Sequence, residues 1–166
     1  MNEESNCEQI WQEIENGLFG VLGMVTARNE ARTVGIVYIV RGRRLYIASD
    51  RDAWKVKHIA RNPHVSVTIP IHKAVPLMPW FKIPAATITF PGVARVLELD
   101  DVPPELIRTI FRGIADSQEL MAGSCLIEVE PVGDFVTYGV GVPLMKMRHP
   151  EQARGRAPVA AQEERV

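Results

Sequence analysis

Between Gly20 and Ile71 the chain repeats one pattern, and that pattern narrows the fold more than any other feature. Val21, Gly23 and Val25 alternate with Leu22, Met24 and Thr26, Asn29-Glu30 supplies a turn, and Thr33 to Val40 is a second β-branched run. A period of two reads as strand, and the short polar break makes the pair an antiparallel hairpin. Arg41-Gly42-Arg43 is a second tight connection, followed by a short third strand over Leu45, Tyr46, Ile47 and Ala48. A helix over Ala53 to Arg61 comes next, with Asp52 placed to cap it, Val56, Ile59 and Ala60 as its buried stripe, and Asn62-Pro63 to stop it. His64 to Ile71 then reads as strand four. A sandwich would show more hairpins and no helix between its third and fourth strands, so the order predicts a small antiparallel barrel with short crossings.

The flanking segments extend that frame. Ser5-Asn6-Cys7-Glu8 has capping-box spacing, and Ile10, Trp11, Ile14 and Leu18 recur on one face, which predicts a short docking helix. Residues 72–84 hold Pro76, Pro79 and Pro84 with Met78, Trp80 and Phe81, too proline-rich for a central strand and too apolar for a solvated linker. Ala85 to Leu97 reads as a long strand with a bulge at Pro91-Gly92, and Pro103-Pro104 opens a helix carrying Leu106, Ile107, Ile110, Phe111 and Ile114. Ser124 to Glu130 and Phe135 to Tyr138 form a closing strand pair around Pro131-Val132-Gly133. The expectation is a mainly β domain over residues 1–145, six- to seven-stranded and antiparallel, with two or three peripheral helices. Residues 146–166 carry too little apolar surface to order.

Lys+Arg 19 against Asp+Glu 20 leaves a formal charge of −1, which excludes a large basic surface for nucleic acid. No apolar run approaches the roughly 20 residues of a membrane span. Cys7 and Cys125 make neither zinc spacing nor a disulfide framework, and the first residues lack a signal peptide's basic start and apolar run, so the expected location is the reducing cytoplasm. GxSxG, Walker and GxGxxG patterns are absent, which removes the common hydrolase and nucleotide-fold options.

The charge is nevertheless uneven. From residue 41 to residue 61, Arg41, Arg43, Arg44, Arg51, Lys55, Lys57 and Arg61 face only Asp50 and Asp52. Within this stretch Ser49-Asp50-Arg51-Asp52-Ala53-Trp54-Lys55 joins a strand end to a helix start, where free backbone N–H groups and the helix dipole favour an anion. Ser49 offers a hydroxyl, Arg51 a planar fork and Lys55 a point charge, a set suited to phosphate. The residues alone leave a second reading open, a solvated basic face.

Leu22-Gly23-Met24-Val25-Thr26-Ala27, Val34-Gly35-Ile36-Val37, Leu45-Tyr46-Ile47-Ala48-Ser49, Lys55-Val56, Arg61-Asn62-Pro63 and Val65-Ser66-Val67 together resemble the pyridoxamine 5′-phosphate oxidase-like family, whose fold is the FMN-binding split β-barrel. The resemblance covers about residues 15–98, with a looser fit at 124–138, and its specific part is the order strand, hydroxyl residue, lysine six positions later, helix, Asn-Pro, strand. It implies that Ser49 and Lys55 contact a flavin phosphate, that Ala48, Arg51 and Trp54 neighbour the ribityl-phosphate, and that Val34, Gly35 and Ile36 run along the ring. Trp80 and Phe81 are candidates to cover that ring across a subunit boundary. The implied protein is a homodimer with noncovalent FMN at its interface and a small-molecule substrate, acting as a flavin-dependent oxidoreductase. The family also holds deazaflavin (F420) reductases and haem-binding members, so F420, haem and a noncatalytic role stay open; F420's longer anionic tail would engage Lys57 and Arg61 as well. The family's true pyridoxamine-phosphate oxidases carry an arginine on the second strand and a C-terminal tryptophan. Val34-Gly35-Ile36-Val37 has no arginine and residues 139–166 have no tryptophan, which argues against that particular activity.

Overall fold

The structure is a computed structural model that describes residues 3–71, 86–112, 121–143 and 149–159. The chain runs α1 (Glu3–Asn16), β1 (Phe19–Val25), β2 (Ala31–Val37), β3 (Ile39–Arg41), β4 (Arg44–Asp50), α2 (Trp54–Arg61), β5 (His64–Ile71) and β6 (Ala86–Leu97). A 3-10 turn (Leu99–Asp101), α3 (Pro104–Ile110), β7 (Ser124–Pro131), β8 (Asp134–Tyr138), α4 (Pro150–Ala153) and β9 (Arg154–Pro158) follow. Seven strands form one antiparallel path in the order β2-β1-β5-β6-β7-β4-β3, with β8 and β9 branching from β6. The fold is mainly β, a curled half-barrel of the split-barrel kind.

How the sheet curls follows from one residue. Its two outermost strands, β2 and β3, are consecutive in the chain and separated by Tyr38 alone. The edges of the sheet therefore meet through the backbone, while no ladder joins β2 to β4. The interior of the curl holds Leu22, Ile47, Val67, Ile88, Phe90 and Ile127, all at most 2% exposed. Helix α1 sets Ile10, Trp11 and Ile14 into the same core, where Trp11 meets Phe135 edge-on and Phe135 meets Phe90 edge-on, each at 5.4 Å between ring centres. A second apolar cluster lies on the outside, where Val102, Leu106 and Phe111 pack against Leu126 of β7. Covered on both faces, β7 buries Cys125 to Val129 without a break, the signature of a strand between two layers.

Several expectations are corrected in detail. Helix α1 begins at Glu3, so Ser5 lies inside it and is not its cap. Ala53 is the residue that precedes α2, and its start has no side-chain cap: Asp52 donates its N–H to Asp50 Oδ1 at 2.7 Å, and its carboxylate pairs with Lys57 at 3.6 Å. Val56 and Ile59 are buried as expected, whereas Ala60 is exposed because the helix rests on the sheet along a narrow line. The run Thr33 to Val40 is two strands, broken where Tyr38 turns inward. Pro91-Gly92 is no bulge, since β5 and β6 stay in register through Ser66↔Pro91 and Val65↔Gly92. It is where β6 changes partner, from β8 at Thr87–Thr89 to β7 from Gly92 onward, at a proline that has no N–H to donate. The closing strands β7 and β8 consequently pair with β6 in succession and not with each other.

The expectation of an unstructured segment from 146 onward fails over 149–159. Strand β9 pairs with β8 over five positions, Asp134↔Pro158 to Tyr138↔Arg154, and Ala153 and Ala157 are buried. Counting large apolar side chains missed it, because this segment docks through backbone hydrogen bonds to a free sheet edge and through two alanines small enough to sit there. Residues 144–148 and 160–166, like the proline-rich stretch 72–85 and Ile114 at the end of the helix expected from Pro103-Pro104, lie outside the described residues.

Candidate functional site

At Tyr38 the chain stops pairing with β1 and starts pairing with β4, so β2 and β4 diverge from that point. The gap between them is a cleft of about 380 Å³, within the size range of small-molecule sites. One wall is Gly35, Ile36 and Val37 of β2, whose outer edge has no strand partner among the described residues, so the N–H and C=O groups that point away from β1 are open to a ligand. Phe19 packs over Gly35 so closely that a Cβ at position 35 would stand 2.9 Å from its ring. The other wall is Ile47 and Ala48 of β4. Lys55, on the first turn of α2, reaches the cleft with no carboxylate partner among the described residues. The uncapped start of α2 adds its dipole to that charge.

Four of the other six basic residues of the stretch are paired, while Arg41 and Arg61 have no ion pair among the described residues. Arg43 pairs with Glu8, Arg44 with Glu130, Arg51 with Glu98, and Lys57 with Asp52. What looks in sequence like one cationic face is divided in space: four of its members are in separate ion pairs, Arg41 lines the cleft beneath α3, and Lys55 is the basic residue of the stretch that lines the cleft between β2 and β4. Of the residues expected to hold a cofactor, Gly35, Ile36, Ala48 and Lys55 share this cleft. Val34 lies one position back, half-buried against the core. Ser49 is buried on the opposite face of β4 from Ala48, its hydroxyl donating to the Asp50 carbonyl at 3.1 Å. Arg51 turns to the far side of β4, where it also donates to the Ser124 carbonyl and lines a different cleft with Leu99 and Ile107. Trp54 is 45% exposed and meets His58 edge-on. Trp80 lies outside the described residues.

Sequence reasoning missed Tyr38, Tyr46 and Ile110 as cleft residues. Period-two alternation could have found Tyr46, which shares a face of β4 with Ala48; nothing local marked Tyr38 or Ile110. Both phenols are engaged elsewhere: Tyr38 donates to the Ile14 carbonyl at 2.9 Å, and Tyr46 donates to Glu128 Oε2 at 2.8 Å. Burial pushes Tyr38 up to about 12. It also raises Tyr46, reinforced by the hydrogen bond and charge of Glu128. Both thiols are held above their usual range by burial, so neither Cys7 nor Cys125 is a ready nucleophile. No helix among the described residues is long and apolar enough to cross a membrane.

The sequence matches no family model and no curated protein. Solved structures do match in their backbone. A putative pyridoxamine 5′-phosphate oxidase from Listeria innocua is 20% identical, with a TM-score of 0.60 over 76% of this chain and 93% of that one. An F420 reductase is 17% identical, with a TM-score of 0.52 over 75% of this chain and 93% of the other. HutZ, described as a haem storage protein from Vibrio cholerae, is 16% identical, with a TM-score of 0.61 over 84% and 97%. At these identities the likeness shows the fold, and the chain has the split barrel of the pyridoxamine 5′-phosphate oxidase-like proteins.

Proposed function

We propose that this protein binds FMN noncovalently in the cleft between β2 and β4 and acts as a flavin-dependent oxidoreductase, as a homodimer with the cofactor at the subunit interface. The observation that carries the reading is the ammonium of Lys55, which has no carboxylate partner among the described residues, at the uncapped start of α2 and lining the same cleft as the outer edge of β2. A flat, largely apolar ring with one polar edge and a phosphate tail needs those two things. Lys55 would hold the phosphate by a charged hydrogen bond, and those N–H and C=O groups along Gly35 to Val37 that point away from β1 would bond the ring's polar edge. Ile36, Ile47 and Ile110 supply the apolar surface that keeps water off it. FMN, when bound, supplies a ring that takes up and returns electrons. The resemblance names Ser49 as a phosphate donor too; from its buried position it would have to exchange the Asp50 carbonyl for the phosphate.

Two observations favour flavin over haem. Neither tyrosine hydroxyl in the cleft is open to a metal, and the histidine nearest in sequence to Lys55, His58, packs against Trp54. The longer tail of F420 would engage Lys57 and Arg61; Lys57 is in an exposed pair with Asp52 and Arg61 has no ion pair among the described residues, so F420 is the second reading. The homodimer is supported by Leu18, Phe19 and Val37, exposed by 72%, 49% and 70% at the lip of the cleft, an apolar ridge that a second copy would cover.

Titration of the apo-protein tests the site. Lys55→Ala should weaken FMN by roughly 10- to 150-fold, the equivalent of ~1.5–3 kcal/mol for a charged hydrogen bond, and leave riboflavin unchanged. Lys57→Ala, which breaks only an exposed pair, should cost less than about threefold. Equal tolerance of both substitutions would overturn the phosphate site. Mass spectrometry of the ligand released from purified protein separates FMN from F420 and haem, and a bound flavin that nicotinamide nucleotides fail to reduce would favour storage over catalysis.

A further inference from the structure

Tyr46 lines two clefts at once. Besides the one between β2 and β4, it borders a second of about 440 Å³ beneath α3, whose floor includes Glu128. Glu128 is the one charged residue that is buried among the described residues, 7% exposed, and both of its oxygens are engaged. Oε2 accepts the Tyr46 hydroxyl at 2.8 Å, and Oε1 faces an Arg95 nitrogen at 2.9 Å. The three residues stand at one level of the sheet, since Tyr46 is registered with Glu128 across β4 and β7, and Glu128 with Arg95 across β7 and β6. Cross-strand neighbours at one level are the shortest rigid path a sheet can offer. The path runs from a solvent-exposed guanidinium, through a buried carboxylate, to a wall of the proposed cofactor cleft.

We propose that Tyr46 is a positioning residue of the cofactor cleft, held as its wall by the cross-strand chain Tyr46–Glu128–Arg95. The inference rests on the flavin reading above and deepens it by adding a residue at the ring end of the site. A buried carboxylate that only filled space would be replaced with gain by an apolar side chain. Here it holds an aromatic residue that would otherwise be free to turn into the larger cleft beside it. Preorganised walls raise affinity because the bound ligand need not order them.

The test uses the full chain, with FMN and riboflavin titrated separately. Tyr46→Phe keeps the ring and removes the lock, so it should weaken both flavins by the same factor, about three- to tenfold. Glu128→Leu should match it, whereas Glu128→Gln retains an acceptor for the hydroxyl and should bind within twofold of wild type. Fluorescence anisotropy of bound flavin should fall in Tyr46→Phe and Glu128→Leu and recover in Glu128→Gln, a pattern that mere loss of stability would not produce. Unchanged binding in Tyr46→Phe while Lys55→Ala loses FMN would overturn this inference alone. Should Tyr46→Phe not fold, equal binding by Glu128→Leu and Glu128→Gln would overturn it. Failure of the wild type to bind either flavin would overturn the flavin reading and this one together.

Discussion

Tyr38 shows how much can depend on one side chain. Its hydroxyl reaches the Ile14 carbonyl only because position 17 is glycine, where a Cβ would stand 2.4 Å from the phenol oxygen. Tyr38→Phe should therefore lower stability by about 1–2 kcal/mol in urea unfolding, with Gly17→Ala at least as costly. The phenol also dictates a pH dependence. Its folded value, about 12, lies above the ordinary 10, so the folded state holds the proton more tightly than the unfolded chain. This contribution is fully present below pH 10 and is lost as pH rises from 10 to about 12; the difference in stability between wild type and Tyr38→Phe should shrink over that window. Residues differ in how far sequence exposes them. Lys55 is legible because its setting, a strand end followed by a helix start, is local. Arg51 is not, because what orients it is Glu98, 47 positions on.

Strands and helices were read more reliably than their partners. His64–Ile71 is β5, since Asn62-Pro63 marks its start and the alternation carries it to Ile71. That β7 and β8 both pair with β6 and not with each other cannot be seen in either segment, because adjacency in the chain says nothing about a strand that divides its length between two neighbours. The same limit hid β9, whose docking is a property of the open edge of β8. Removing residues 149–166 should uncover Phe135 and Trp11, which pack beside it, and release Cys7, whose thiol donates to the Val159 carbonyl. The expected cost is about 2–4 kcal/mol, read as a melting temperature lower by roughly 5–15 °C. A truncated chain that melts like the full one would mean that β9 contributes no more than an ornamented end.

For the molecule as a whole, the fold class was legible because hairpin, helix and strand follow one another in an order few architectures allow, while assembly was not written in any local pattern. The apolar ridge of Leu18, Phe19 and Val37 makes the expectation concrete. Light scattering should give about twice 18.5 kDa, and Val37→Glu should return it to the monomer mass and weaken FMN with it. The junction at Tyr38 carries a further consequence. In a barrel closed by hydrogen bonds, the spacing of two walls is fixed by how they pair; here one wall, β2, is joined at a crease to β3, the hairpin partner of the other wall, β4. One residue added at the crease would meet fixed registers on both sides, because β2 is held to β1 from Phe19↔Val37 to Val25↔Ala31 and β3 is held to β4 by the tight Gly42-Arg43 turn, so the extra length would go into the gap itself. An inserted glycine after Tyr38 should thus spare most of the fold and empty the cleft, making the crease a gauge that sets the width of the binding gap by counting residues.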